Sequence, residues 1–251
     1  MVATTFLFVP GDRPERFDKA LAGGADVVIL DLEDAVAPAA KDSARASVDE
    51  WLASHRALVR INAPGTPWFG ADAALVAARG VPVMVPKAEN PGVLAGFREV
   101  VALVETAAGV ERAGELAAVP SVTRLAFGSI DLAAELGVDP EDREPFAYAR
   151  SRLVIASAAA GLAPPVDGVT TNVGDDAGLE ADVRYARRLG FGGKLCIHPR
   201  QVPVARAAFA PAEAEREWAR RVVTAGPGVS VVDGRMVDEP VRARARRILG
   251  E

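Results

Sequence analysis

The stretch Val27-Val28-Ile29-Leu30-Asp31-Leu32-Glu33-Asp34 carries the clearest signal of the fold. It begins as an unbroken apolar run, which is typical of a strand buried on both faces, and it ends in carboxylates. Other short runs of the same character are spaced along the chain: Thr5–Val9, Leu58–Ile61, Val83–Pro86, Val101–Glu105, Arg124–Phe127, Gly168–Thr170 and Lys194–Ile197. We therefore expect eight buried strands.

Segments of helical character lie between most of these runs, at residues 14–23, 38–55, 112–119, 144–161 and 177–190. Alternating strands and helices predict parallel strands joined by right-handed crossovers. Most of the strands end in a polar group, and in a closed barrel all such ends converge on one mouth. The pattern therefore favours a TIM (β/α)8 barrel over its alternative, an open doubly wound sheet.

The C-terminal part of the chain departs from this alternation. A charged helix at residues 213–225 is followed by Gly226-Pro227-Gly228, a small hairpin and an Arg-rich helix at residues 240–249. We expect a barrel domain over residues 1–226 and a C-terminal extension over residues 227–251. An extension this short needs a surface to fold on, either the barrel or a neighbouring subunit.

Composition narrows the classes of function. The 251 residues carry 29 Lys and Arg against 34 Asp and Glu, so the net charge of −5 argues against nucleic-acid binding. One cysteine excludes an internal disulfide, and no apolar stretch approaches the roughly 20 residues that span a bilayer. We expect a cytoplasmic protein without a membrane or nucleic-acid partner. With only two histidines, site chemistry rests on Asp, Glu, Arg and Lys.

Five carboxylates follow apolar runs at the expected mouth. Asp31, Glu33 and Asp34 would repel one another unless cations lie near, which predicts a site for a metal or a cationic group; the alternative is capping of the next helix. Glu105 and Asp131 follow two adjacent strands. A pair of carboxylates with several waters is what Mg²⁺ usually takes from a protein, although Asp131 is also placed to cap a helix.

Basic groups occupy other strand ends. Arg60 interrupts an apolar run and is expected to bind a carboxylate through its fork, or to pair with the acids just named. Lys87 is a candidate contact for a phosphate or carboxylate, or a Schiff-base nucleophile. The turn that contains Pro10, Gly11 and Arg13 opens a helix and suits an anion. Ser129 is a further candidate substrate contact.

Motifs in chain order resemble those of the citrate lyase beta-subunit-like group of the HpcH/HpaI aldolase superfamily. The resemblance spans nearly the whole chain and rests on Leu7-Phe8-Val9-Pro10-Gly11, Val28-Ile29-Leu30-Asp31-Leu32-Glu33-Asp34-Ala35-Val36, Val59-Arg60-Ile61-Asn62, Pro86-Lys87-Ala88-Glu89, Leu103-Val104-Glu105-Thr106-Ala107, Phe127-Gly128-Ser129-Ile130-Asp131-Leu132, Lys194-Leu195-Cys196-Ile197-His198-Pro199 and Gly234-Arg235-Met236-Val237-Asp238.

The resemblance implies a Mg²⁺-dependent carbon–carbon lyase that acts on 3-hydroxyacyl-CoA thioesters of the malyl-, citramalyl- or citryl-CoA type. It implies that Glu105 and Asp131 bind Mg²⁺, that Arg60 holds the substrate carboxylate, and that the turn from Pro10 to Arg13 lies near the CoA or substrate. It further implies a trimer in which Asp238 assists proton transfer at a neighbouring site. The metal-dependent route removes the need for Lys87 as a nucleophile.

Two alternatives remain open: a metal-dependent aldolase of hydroxy-oxo acids without CoA, and a subunit of a lyase complex. One departure from the family is visible, because only residues 90–99 separate two predicted strands. A parallel crossover needs about a dozen residues, so we expect the barrel wall to be thin at this point.

Overall fold

The computed structural model describes residues 3–250. Within them, eight parallel strands pair in chain order, and the last pairs with the first to close a barrel. The strands are β1 (Thr5–Pro10), β2 (Val27–Asp31), β3 (Leu58–Arg60), β4 (Val83–Val85), β5 (Val100–Val104), β6 (Val122–Phe127), β7 (Val166–Asp167) and β8 (Gly193–Cys196). The predicted TIM barrel is confirmed.

Helices fill the connections and surround the strands. They are α1 (Phe17–Ala22), α2 (Lys41–Leu52), α3 (Phe69–Arg79), α4 (Pro91–Leu94), α5 (Ala107–Glu111), α6 (Ala113–Ala117), α7 (Ser129–Leu136), α8 (Ala147–Ala159), α9 (Asp176–Leu189) and α10 (Gln201–Phe209). Short 3-10 turns precede α1 and α2, at Pro14–Arg16 and Pro38–Ala40. Proline at these starts fits, because its missing N–H is not needed there.

Alternate residues of each strand serve two cores, as the pleat requires. Side chains that face inward fill the barrel: Phe6, Ile29, Leu58, Met84, Val101, Leu103, Ala126, Val166 and Leu195. Their neighbours, such as Leu7, Leu30 and Val59, pack outward against the helices. Because both faces are buried, the strands read as continuous apolar runs.

The seventh strand was misplaced by the sequence pattern. The structure puts β7 at Val166–Asp167, just before the predicted run at 168–170. Asp167 is 1% exposed, and its oxygens lie 3.0 Å from Lys194 Nζ and 3.0 Å from Arg150 Nε. Hydrophobicity does not reveal a buried aspartate whose partners are distant in sequence.

The connection after β4 is as short as expected. Its only regular element among residues 90–99 is the one-turn helix α4, whose N-cap Asn90 accepts a hydrogen bond from the Gly92 N–H at 2.9 Å. An apolar cavity of about 490 Å³ lies between this connection and α3, lined by Phe69, Val76 and Phe97 among others. The four residues of α4 leave this cavity open beside the connection, whereas the expected thinness of the wall stays a prediction.

Residues 210–250 form a second compact unit, and the first ends at Phe209. The second contains α11 (Glu213–Thr224), a hairpin of β9 (Ser230–Val232) and β10 (Arg235–Val237), and α12 (Glu239–Leu249). Its small core consists of Ala219, Val222, Val237 and Ala245. The boundary predicted after residue 226 differs from this division, because α11 packs with α12.

No helix in the described part of the chain is both long and apolar enough to cross a bilayer.

Candidate active site at the carboxyl ends of the strands

A bidentate ion pair lies at the centre of the barrel mouth. Asp31 ends β2 and Arg60 ends β3, directly opposite one another in the strand register. Arg60 Nε and Nη2 lie 2.7 and 2.6 Å from the two carboxylate oxygens of Asp31. Asp31 also accepts a hydrogen bond from the Glu33 N–H at 2.9 Å and is 1% exposed. The fork of Arg60 is therefore fixed in place by a fully buried acid.

The remaining nitrogen of Arg60 reaches the next acids. Arg60 Nη1 lies 3.1 Å from Glu33 Oε2 and 3.9 Å from Asp34 Oδ2, and the guanidinium stacks 4.6 Å from the Phe8 ring centroid. Burial opposes the charge of Arg60, but Asp31 and Glu33 outweigh it and raise its pKa above the usual range. The structure therefore confirms that Arg60 pairs with the acids, and its Nε–Nη2 fork is occupied by Asp31; a contact with substrate is left to the rest of the guanidinium, which lines the cavity described below.

Lys87 links three carboxylates. Its backbone N–H donates to Glu105 Oε1 at 2.9 Å. Its side-chain Nζ lies 3.2 Å from Glu33 Oε1 and 3.2 Å from Asp131 Oδ1. Its φ of 47° is in the left-handed region, a strained conformation for a residue other than glycine. Burial opposes its charge, but Glu33, Glu105 and Asp131 raise its pKa. A protonated amine is a poor nucleophile, which disfavours the Schiff-base alternative.

Glu105 directly follows β5 and is 2% exposed. Burial, reinforced by Glu33 and Asp131, raises its pKa to about 8. Burial also raises the pKa of Glu33 to about 7, although Arg60 acts in the opposite direction. Gly128 makes room for Glu105, because a Cβ at position 128 would lie 2.4 Å from Glu105 Oε2. The backbone at Gly128 thus leaves space for Glu105, whose carboxylate is not fully compensated by the positive charges near it.

Asp131, in the first turn of α7, adds a fifth carboxylate to the barrel mouth. The mouth holds five carboxylates; Arg60 and Lys87 contact them directly, and a third cation, the buried Lys41, lies near Asp31, Glu33 and Asp34. No cluster of three or more potential ligands is found within residues 3–250. The pair Glu105 and Asp131 nevertheless fits Mg²⁺, which keeps several waters and accepts one or two carboxylates. A divalent cation would supply the missing charge.

These groups border a cavity of about 290 Å³. Its polar side is formed by Asp31, Asp34, Arg60, Glu105, Ser129 and Asp131, and the opposite side by apolar residues, including Phe8, Leu103, Val169, Leu195 and Ile197. Pro10 contributes to the rim. Polar groups on one side and apolar walls on the other are typical of a small-molecule site. Glu33 and Lys87 are not among the lining residues: Glu33 pairs with both Arg60 and Lys87, and Lys87 borders a second cavity, of about 450 Å³.

Three other candidates are placed as follows. The Gly11 N–H donates to the Asp31 carbonyl at 2.7 Å, and a Cβ there would lie 2.8 Å from that oxygen, so glycine is needed for close packing of the backbone. Arg13 is exposed, and its Nε lies 3.8 Å from Asp12. Asp238 caps α12 by accepting a hydrogen bond from the Val241 N–H at 3.3 Å. Catalytic or binding roles for these residues stay predictions.

Sequence reasoning missed one supporting residue. Lys41, the first residue of α2, is buried, and its Nζ donates to the carbonyls of Leu32 and Glu33, both at 2.7 Å. It thereby fixes the loop that carries the acids. Lysine occurs at only four positions in the chain, and this scarcity was an available signal.

The chain is similar to known proteins over most of its length. The family model described as HpcH/HpaI aldolase/citrate lyase matches residues 4–96 and 92–199. A citrate lyase subunit beta-like protein of Mycobacterium tuberculosis is 42% identical, over 97% of this chain and 93% of its own. A (3S)-malyl-CoA thioesterase of Cereibacter sphaeroides is 37% identical, over 98% and 93%.

Solved structures give the same result. The crystal structure of CitE from M. tuberculosis in complex with magnesium, acetoacetate and coenzyme A matches with a TM-score of 0.88 and 40% identity, covering 100% of this chain and 99% of that one. A citrate lyase beta subunit of the same organism, complexed with oxaloacetate and magnesium, gives a TM-score of 0.76 at 41% identity, covering 84% and 98%. The chain belongs to the HpcH/HpaI aldolase/citrate lyase family.

Proposed function

We propose that the chain is a Mg²⁺-dependent carbon–carbon lyase that cleaves or forms 3-hydroxyacyl-CoA thioesters of the malyl-, citramalyl- or citryl-CoA type. The observation that carries the proposal is the buried, undercompensated carboxylate of Glu105 beside Asp131 and the locked Arg60. The magnesium, acetoacetate and coenzyme A bound to the related CitE support the same ligand classes.

Glu105 and Asp131 would hold the cation. When bound, Mg²⁺ supplies Lewis-acid polarisation of substrate oxygens and a template that orients them. The Lys87 N–H keeps one oxygen of Glu105 in a fixed direction, and Gly128 prevents steric displacement of the carboxylate. Such rigid support matters, because a misplaced reacting group loses much of the rate advantage of orientation.

Arg60 would bind the substrate carboxylate and stabilise the enolate charge that develops as the carbon–carbon bond breaks. Asp31 holds the guanidinium in place through Nε and Nη2, so the edge that Asp31 does not occupy can meet the substrate with little reorganisation. The apolar side chains of Leu103 and Leu195 line the same cavity, and an apolar lining strengthens electrostatic contacts there. Proton transfer at the substrate hydroxyl is assigned to Asp238 from a neighbouring subunit of a homo-oligomer, a trimer by the resemblance.

Hydrolysis of the thioester is a second candidate function. It is favoured by the C. sphaeroides relative that is named a (3S)-malyl-CoA thioesterase, at 37% identity. Both reactions start from the same substrate class but break different bonds. Carbon–carbon cleavage of malyl-CoA yields acetyl-CoA and glyoxylate, whereas hydrolysis yields free CoA thiol and malate.

Product analysis tests the proposal directly. Malyl-, citramalyl- and citryl-CoA are each incubated with the protein in Mg²⁺ or in EDTA, and acetyl-CoA, oxo acid and free thiol are quantified. We expect acetyl-CoA and an oxo acid in Mg²⁺ only, and loss of turnover in Glu105→Ala. Free thiol without acetyl-CoA would establish the thioesterase instead. Cleavage that persists in EDTA or in Glu105→Ala would refute the metal-dependent mechanism.

A further inference from the structure

Arg60 and Lys87, which both contact carboxylates of the mouth, are held in different ways. Arg60 is fixed by two short hydrogen bonds to Asp31 and by the Phe8 ring, and its side chain is 11% exposed. The Lys87 side chain is 38% exposed, and its Nζ lies at 3.2 Å from both Glu33 and Asp131. Longer contacts on a flexible four-carbon stem make Lys87 the cation that is free to move.

The position of the Lys87 ammonium is unusual for a substrate-binding group. It contacts Asp131, one of the two carboxylates assigned to the metal, while its own N–H contacts the other, Glu105. The backbone of Lys87 is fixed by that hydrogen bond and by its left-handed conformation. The side chain alone therefore has the freedom to change partner.

We propose that Lys87 is a placeholder cation, which neutralises Asp131 while the metal site is empty and turns toward the anionic substrate once a divalent cation binds. The inference rests on the proposed metal site at Glu105 and Asp131. An ammonium and a divalent cation repel each other strongly at contact distance from the same carboxylate. Binding of the metal thus releases Lys87. Its side chain borders the second cavity, of about 450 Å³, and contacts Asp131 on the wall of the first, so both cavities lie within its reach.

The first consequence concerns metal affinity without substrate. Lys87→Met removes the competing charge but keeps the length of the side chain, so it should lower the Kd for Mg²⁺ at least tenfold. Lys19→Met, on the exposed face of α1, removes the same charge far from the carboxylates and should change the Kd less than twofold. Isothermal titration calorimetry measures the Kd for Mg²⁺ of the wild type and both variants, each as the 251-residue chain.

The second consequence is coupling between ligands. In the wild type, Mg²⁺ should strengthen the binding of a non-reacting 2-oxo acid, and the oxo acid should strengthen the binding of Mg²⁺ by the same factor. Part of this coupling should disappear in Lys87→Met, since the released ammonium is missing. A lysine that served only as a fixed substrate contact would weaken oxo acid binding equally with and without Mg²⁺.

Spectroscopy observes the movement itself. The chain has four lysines, so a protein labelled with ¹³C at lysine Cε gives few signals, and the one absent from Lys87→Met identifies Lys87. We expect Mg²⁺ to shift this signal and to leave that of Lys19 unchanged. Should Lys87→Met fail to fold, the wild-type signal, identified with Lys87→Gln, gives the answer.

The outcomes separate two hypotheses. Absence of Mg²⁺ binding by the wild type would overturn the proposed metal site itself. Tight Mg²⁺ binding by the wild type, with an unchanged or weaker affinity in Lys87→Met and no shift of the Lys87 signal, would leave the metal site intact and overturn the placeholder role.

Discussion

Glu105→Gln should make the metal-free protein more stable while abolishing its activity. The folded chain raises the pKa of Glu105 to about 8 from 4.5 through burial and through Glu33 and Asp131. At pH 7 the folded state therefore keeps a proton that the unfolded state has released. Holding it costs about 1.36 kcal/mol for each of roughly 2.5 pH units, or about 3 kcal/mol. Glutamine is neutral in both states and avoids this cost.

The assay is urea denaturation of wild type and Glu105→Gln at pH 7, in EDTA and in excess Mg²⁺. In EDTA we expect the variant to be more stable by up to about 3 kcal/mol, because its amide oxygen still accepts the Lys87 N–H. In Mg²⁺ we expect the difference in unfolding free energy between the two proteins to shrink or change sign, because binding of the metal stabilises only the wild type. Glu50→Gln, on the exposed face of α2, is the matched control and should change neither value.

Lower stability of Glu105→Gln in EDTA would refute the reasoning. It would mean that Glu105 is ionised and well compensated in the folded chain, so that its removal leaves an excess of positive charge. The predicted stabilisation is also pH-dependent. Between pH 4.5 and about 8 the folded wild type binds more protons than the unfolded chain, so its metal-free stability falls as the pH rises.

Three further outcomes are expected. Mg²⁺ binding near pH 7 should release protons, because Glu105, whose pKa is about 8, must ionise to bind a metal. Calorimetry in buffers of different ionisation enthalpy measures the number of protons released. A value of zero contradicts the raised pKa. Arg60→Lys should lower kcat/KM for a CoA thioester at least tenfold, since a lysine cannot reproduce the fork to Asp31; unchanged kinetics would exclude the assigned role. Mixed Asp238→Ala and Glu105→Ala subunits should recover part of the activity that each lacks, if sites are shared; no recovery after confirmed subunit exchange contradicts sharing.

The barrel was predictable because its strands are buried on both faces. Val27–Leu30 and Val100–Val104 are apolar throughout, and the order of such runs along the chain favours the closed parallel sheet. The seventh strand escaped detection because half of it is Asp167, which is stabilised by Lys194 and Arg150 from other elements. A propensity argument does not detect such pairing over long separations.

The candidate site was also only partly predictable from the sequence. The acidic and basic residues at the strand ends were predictable in kind, and Arg60 meets Asp31 as expected from their matching strand positions. The contacts that each of these residues makes could not be predicted. That Glu33 pairs with two cations and that Lys41 supports its loop follow from side-chain directions, which depend on the packed structure.

The arrangement of charge explains why the mouth tolerates so unfavourable a cluster. Replacing Glu105 by a neutral group would remove the cost of its raised pKa, and replacing Asp131 would remove a charge that Lys87 balances, yet either change would remove a ligand that a divalent cation needs. Arg60 satisfies Asp31 permanently, whereas Lys87 satisfies Asp131 through a movable contact. A second fixed arginine in place of Lys87 would stabilise the metal-free protein further but would compete with the metal permanently. The mobility of Lys87 therefore lets the chain fold without a metal and still leaves Glu105 and Asp131 available when a divalent cation binds.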